Sequence, residues 1–92
     1  MNREQRVERV AELPFSKLDS QILVVVAKTR EVHLLNESAA RIWDLLQSPE
    51  TVVGLVEALT EEYELDPETG EKEVEAAVEE MITKGLLRAL PA

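Results

Sequence analysis

The hydrophobic pattern changes period between Val32 and Leu46. Val32, Leu34 and Leu35 form an apolar run of strand type that stops at Asn36. From there Ala39, Ile42, Trp43 and Leu46 recur at the three-and-four spacing of one helix face. Asn36 suits a helix N-cap, because its side-chain oxygen can accept a free first-turn N–H. A strand therefore runs straight into a helix with almost no loop. The junction divides the chain into a β-rich front and an α-rich back.

Two further strands are predicted upstream. Pro14 to Leu18 reads as a short one, and the proline at its start suits a sheet edge. Asp19-Ser20 is a turn pair. Gln21 to Ala27 is the strongest strand, and its run of β-branched residues without polar alternation predicts burial on both faces. Lys28-Thr29-Arg30 supplies the next turn, although no Gly or Asn marks it. Short connections make the three strands an antiparallel meander in the order 1-2-3. Residues 1–12 alternate charged and apolar residues without a clear stripe. They read as an N-terminal arm, frayed or disordered, ahead of a single domain over residues 13–92.

The back half predicts three helices. The first runs from about Glu37 to Gln47 and is stopped by Ser48-Pro49. The second starts after Thr51 as cap, with Val52, Leu55, Val56, Leu59 and Tyr63 as its stripe. Gly54 inside it costs ~1 kcal/mol relative to Ala, and a close helix–helix approach there is one explanation. Asp66-Pro67 opens the third, which is regular from about Glu71 to Lys84. Its apolar stripe is Val74, Ala77, Val78, Met81 and Ile82, and Gly85 is the C′ residue that ends it. Leu86, Leu87 and Leu90 pack back as a tail.

Composition narrows the function classes. The chain of 92 residues has no Cys, so it offers neither a thiol nucleophile nor a cysteine metal site. No apolar run reaches the length of a membrane span, and no signal peptide is readable, so the expectation is a cytoplasmic protein with no membrane partner. Charge is uneven: residues 1–41 carry net +1 and residues 42–92 carry net −10. The acidic back half argues against a nucleic-acid partner. It suits either a partner rich in Lys and Arg or an ordinary solvated surface.

Little catalytic chemistry is on offer. His33 is the only histidine, so one chain cannot build a two-histidine metal site. Gly54, Gly70 and Gly85 are far apart and form no phosphate loop. The chain reads as a non-enzyme that needs no cofactor. The binding feature is architectural. A three-stranded meander leaves its third strand as an edge, and an edge can pair with an extended peptide. The third helix could wall a groove beside that edge. Alternatively, the tail after Gly85 could occupy the edge and leave no groove.

The sequence resembles the PqqD-like family, also called RiPP recognition elements. The resemblance lies in Leu35-Asn36, the Glu37-Ser38-Ala39-Ala40 start with Ile42-Trp43 and Leu45-Leu46, and Thr51-Val52 with Leu55-Val56 and Leu59. It continues in Glu61-Glu62-Tyr63, Glu73-Val74 and the closing Gly85-Leu86-Leu87, covering roughly Leu13 to Leu90. It implies an α+β fold, a three-stranded antiparallel sheet followed by three helices, winged-helix-like. It also implies a protein that binds the leader segment of a ribosomally made precursor peptide by strand addition. The leader would then be presented to a maturation enzyme such as a radical SAM enzyme, a cyclase or a leader protease. By position the groove would be Val32, His33, Leu34 and Leu35 on the strand, with Val74, Glu75, Val78, Glu79, Met81 and Ile82 on the helix. Members of the pyrroloquinoline quinone pathway carry a Pro-Glu-Gly-type turn where this chain has Lys28-Thr29-Arg30-Glu31, so lasso-peptide B1 proteins and unassigned stand-alone members fit no worse. Glu75 and Glu79 would favour a leader with basic residues. Two other readings remain, a winged-helix DNA-binding regulator and a general protein–protein adaptor.

Overall fold

Three caps divide the helical half where the sequence places them. The computed structural model of the chain describes residues 2–91. Met1 and Ala92, the outer ends of the expected arm and domain, lie outside the described residues. In order the elements are β1 (Arg6–Arg9), β2 (Phe15–Leu18), β3 (Gln21–Val26), β4 (Glu31–Leu35), α1 (Glu37–Leu45), β5 (Glu50–Thr51), α2 (Val52–Glu62), α3 (Pro67–Thr83) and β6 (Leu87–Ala89). Asn36 caps α1 by accepting from the Ala39 N–H, Thr51 caps α2 by accepting from Gly54, and Asp66 caps α3 by accepting from Thr69. Pro67 in the first turn lets α3 start four residues earlier than its apolar stripe alone indicates.

The meander is present as expected: β2, β3 and β4 pair antiparallel in that order. The β3–β4 turn closes without glycine because Arg30 takes the left-handed region at φ 59°. One expectation for this sheet fails. In β3, Ile22, Val24 and Val26 are buried but Leu23 and Val25 are only half-buried. The helices cover a single face of the sheet.

The expected loose arm is corrected. Residues Arg6–Arg9 form β1, the centre of a second three-stranded sheet in the order β5-β1-β6. Val7 pairs with Ala89, Arg9 with Leu87 and Arg6 with Thr51. Val7 is fully buried beside Leu86 and Leu87 in one core that also holds Ile22, Val24, Ile42, Trp43, Leu55 and Val78. The Arg9 guanidinium stacks 4.7 Å from the Trp43 ring and 5.2 Å from Phe15, and its Nε donates to the Trp43 carbonyl at 2.9 Å. These contacts tie the first strand to the end of α1.

The tail is set by Gly85. Its φ of +79° is the left-handed conformation that ends many helices. The Gly85 N–H donates to Ile82 and the Leu86 N–H to Met81, which is the paired bonding of a Schellman turn. The chain then joins β1, so the tail does not occupy the β4 edge.

The close helix–helix approach lies at Gly70, not at Gly54. A Cβ on Gly70 would sit 2.1 Å from the Thr60 Oγ1 of α2, whereas one on Gly54 would meet the Glu50 and Thr51 side chains at its own helix start. Gly70→Ala should therefore destabilise by about 1–3 kcal/mol through overpacking, despite the better helix propensity of Ala. Adding Thr60→Ala should recover most of that loss, as a urea-melt double-mutant cycle would show.

Acid should weaken the α3 cap. Hydrogen bonds from the Thr69 backbone N–H and then its hydroxyl hold the Asp66 carboxyl below the usual carboxylate range. A lowered folded-state value gives stability that is present above the unfolded value and lost as pH falls through the folded one. Thermal melts across the acid range should show this loss, and Asp66→Asn, which keeps a cap acceptor, should remove that part of the pH dependence.

Candidate functional site

β4 is hydrogen-bonded on one side only. Its free side can be read from the ladder. The Val25 N–H donates to the Pro14 carbonyl at 2.9 Å, one step beyond the last paired residues of β2 and β3. Bonded and non-bonded pairs alternate in an antiparallel ladder. The odd residues of β3 therefore turn their N–H and C=O groups to β2, and Ile22, Val24 and Val26 turn theirs to β4. Their partners on β4 are Leu35, His33 and Glu31. Between these, Val32 and Leu34 turn their peptide groups to the open edge. The same two residues expose their side chains, at 58% and 54% of their area. They stand on the outer sheet face, opposite Val25 and Leu23.

A groove of about 390 Å³ lies between this edge and α3. Its floor is Leu35, Ala39, Ala77 and Met81, and its helical wall is Glu73, Ala76, Glu80 and Lys84. Small residues make the space: Ala76 and Ala77 on α3, Ser38 and Ala39 on α1. The wall carries charge of both signs. Lys84 Nζ sits 2.7 Å from Glu80 Oε1, and this contact holds the Glu80 carboxyl below its ordinary range. Glu73 makes no ion pair among the described residues.

The expected groove residues divide. Leu34, Leu35 and Met81 line the groove, and Val32 stands on its strand edge. Val74 and Val78 do not reach it: they are 1% and 0% exposed and belong to the core. Ile82 packs against that core from a half-buried position. Glu75 and Glu79 do not line the groove; at about 100° per residue they lie on the opposite side of α3 from Glu73, Ala77 and Glu80. His33 points inward from β4, with Nε2 buried, without a hydrogen-bond partner and 3.7 Å from Glu31 Oε1. The groove residues missed in the sequence are Asn36, Ser38 and Ala39 at the start of α1, and Glu73, Ala76, Ala77, Glu80 and Lys84 on α3. The three-and-four spacing of the α3 set was a usable signal, but an Ala/Glu/Lys stripe looks like an ordinary solvated face.

Comparison with known proteins settles the family. The family described as coenzyme PQQ synthesis protein D (PqqD) matches residues 21–87, well over half of the chain. The chain belongs to the PqqD family. A solved structure described as TbiB1 in complex with the TbiA(beta) leader peptide superposes with a TM-score of 0.81 at 21% identity, over 92% of this chain and 99% of that one. At that identity the likeness establishes a shared fold. No curated protein sequence matches the chain. The PqqD match begins at β3, so it covers β3, β4 and all three helices but not β1 or β2.

The open edge has a direct test. In native-state hydrogen exchange, the amides of Glu31, His33 and Leu35 should exchange at least an order of magnitude more slowly than those of Val32 and Leu34. Equal protection along β4 would mean that its outer side is already paired.

Proposed function

We propose that this PqqD-family protein binds the leader segment of a ribosomally made precursor peptide and presents it to a maturation enzyme. The observation that carries the reading is the unpaired β4 edge beside an apolar-floored groove. An extended peptide has unsatisfied N–H and C=O groups of its own, and the outward peptide groups of Val32 and Leu34 offer the complementary set. Alternate side chains of an added strand would point into the groove over Leu35, Ala77 and Met81. Main-chain bonds would give affinity and the groove would give selectivity. TbiB1, of the same fold, is described as bound to a leader peptide, which supports the reading.

The site binds rather than catalyses on this reading. The one histidine faces inward beneath the sheet and does not line the groove. A nucleic-acid partner is disfavoured by the exposed carboxylates of α3, Glu68, Glu73, Glu79 and Glu80. Among the described residues no helix is long and apolar enough to cross a membrane. We place the protein in the cytoplasm, where precursor peptides are made, handing its bound peptide to an enzyme such as a radical SAM enzyme, a cyclase or a leader protease.

The test is a titration of isotope-labelled protein with the short precursor peptide encoded nearest its gene. Saturable shifts at Val32, Leu34 and the groove wall are expected, with micromolar affinity or tighter (~8 kcal/mol). Ala76→Phe, an exposed helix position on the groove wall, should weaken binding at least tenfold with the melting temperature nearly unchanged. Val78→Asp would not serve, because Val78 is in the core. Shifts that avoid β4, or an Ala76→Phe variant that binds as before, would rule out the groove as the binding site.

A further inference from the structure

The groove continues past the end of β4. A second hollow of about 440 Å³ opens there, and the two share Asn36, Ser38 and Glu73. Its floor is Leu59, which is buried, with Leu65 and Tyr63 half-buried beside it. Its rim carries two exposed carboxylates, Glu37 and Glu73. Neither makes an ion pair among the described residues, unlike Glu62, Glu71 and Glu80, each of which holds a Lys or Arg.

The chemistry of this hollow selects one class of side chain. An apolar floor beneath unpaired carboxylates suits a long stem that ends in a positive charge. The methylenes of Lys or Arg would cover Leu59 and Leu65 while the head reaches Glu37 and Glu73. The Tyr63 ring offers a cation–π face. Burial first, then Glu37 and Glu62, push the Tyr63 phenol above its ordinary value against the opposite pull of Arg41. An acidic side chain would be repelled, and a purely apolar one would strip water from two carboxylates without replacing it. The first turn of α1 does not reverse this preference. Its Ala39 N–H and the Ser38 hydroxyl both donate to Asn36 Oδ1, and Glu37 offsets the positive end of the helix.

We infer that this hollow is a subsite for a Lys or Arg side chain of the bound peptide, placed just beyond the residues that pair with β4. The inference rests on the peptide-binding reading above and adds a sequence requirement to it. It also moves the acidic contact from Glu75 and Glu79, on the opposite side of α3, to Glu37 and Glu73.

The test is a display selection of random peptides of about 15 residues, long enough at ~3.4 Å per residue to span both hollows, against the whole chain. Enriched peptides should carry Lys or Arg at a fixed distance from an alternating apolar stretch. In a purified binder, changing that residue to Gln should lower affinity about tenfold on the natural protein. The same change should have little effect on the Glu37→Gln/Glu73→Gln variant. Selection on a Glu37→Lys/Glu73→Lys variant should bring Asp or Glu to that position. Both pairs of substitutions lie at exposed positions, and a thermal melt checks that the fold is kept. Enriched peptides that shift the Val32 and Leu34 amides but show no basic preference would overturn the subsite and leave strand addition standing. So would a preference that survives in the charge-reversed variant. Binders that leave those two amides unmoved, or an absence of binders, would overturn the peptide-binding reading and the subsite together.

Discussion

Gly85 decides where the end of the chain goes, and the open edge of β4 depends on that choice. At φ +79° it reverses the backbone at the end of α3, in a conformation that a residue with a Cβ adopts only at a cost of about 1–2 kcal/mol. Leu86 and Leu87 then enter the core beside Val7, and β6 pairs with β1. The Leu90 N–H bonds to the Arg6 carbonyl, and the Gln5 side chain donates to the Leu90 carbonyl. The first and last segments of the chain thus satisfy one another. The outer side of β4 stays unpaired because the strand nearest the end of the chain has its own partner.

The local part of this fold was legible. Asn36, Thr51 and Asp66 each cap a helix through a bond to a residue three positions on, and such contacts are encoded in a few adjacent letters. The meander was equally plain, because short turns between apolar runs leave little choice of pairing. β1 was not legible. Val7 is its one fully buried residue, and its register is set by residues about eighty positions away in β6, which no local pattern reveals. Gly54 and Gly70 show the same limit: Gly54 stood inside a helical stripe and Gly70 just ahead of one, and only the packed structure tells which meets a neighbouring helix.

The site was half legible for a related reason. The strand side followed from topology, since the third strand of a meander must be an edge. On α3 the apolar stripe was correctly identified, but the core uses it: Val74, Val78 and Met81 anchor the helix to the rest of the molecule. A helix that holds its place by one face can offer a ligand only a neighbouring one. Here that face is Glu73, Ala76, Ala77, Glu80 and Lys84, whose small residues open the space while their charges resemble a solvent-facing stripe. Met81 sits at the boundary and serves both, buried at 2% exposure while still lining the groove.

An open edge also invites a second copy of the same chain. Proteins usually guard such strands with inward charges, prolines, bulges or a covering segment, yet the outward residues of β4 are Val32 and Leu34. Charge is the guard that the sequence offers in their place. The chain carries a net charge of −9, and Glu31, Glu73 and Glu80 stand around this edge and its groove. Two copies meeting edge to edge would bring these carboxylates together, whereas a neutral or basic peptide meets no such repulsion. On the peptide-binding reading, the acidic rim would thus oppose pairing of the exposed strand with a second copy and bias it toward partners of opposite sign.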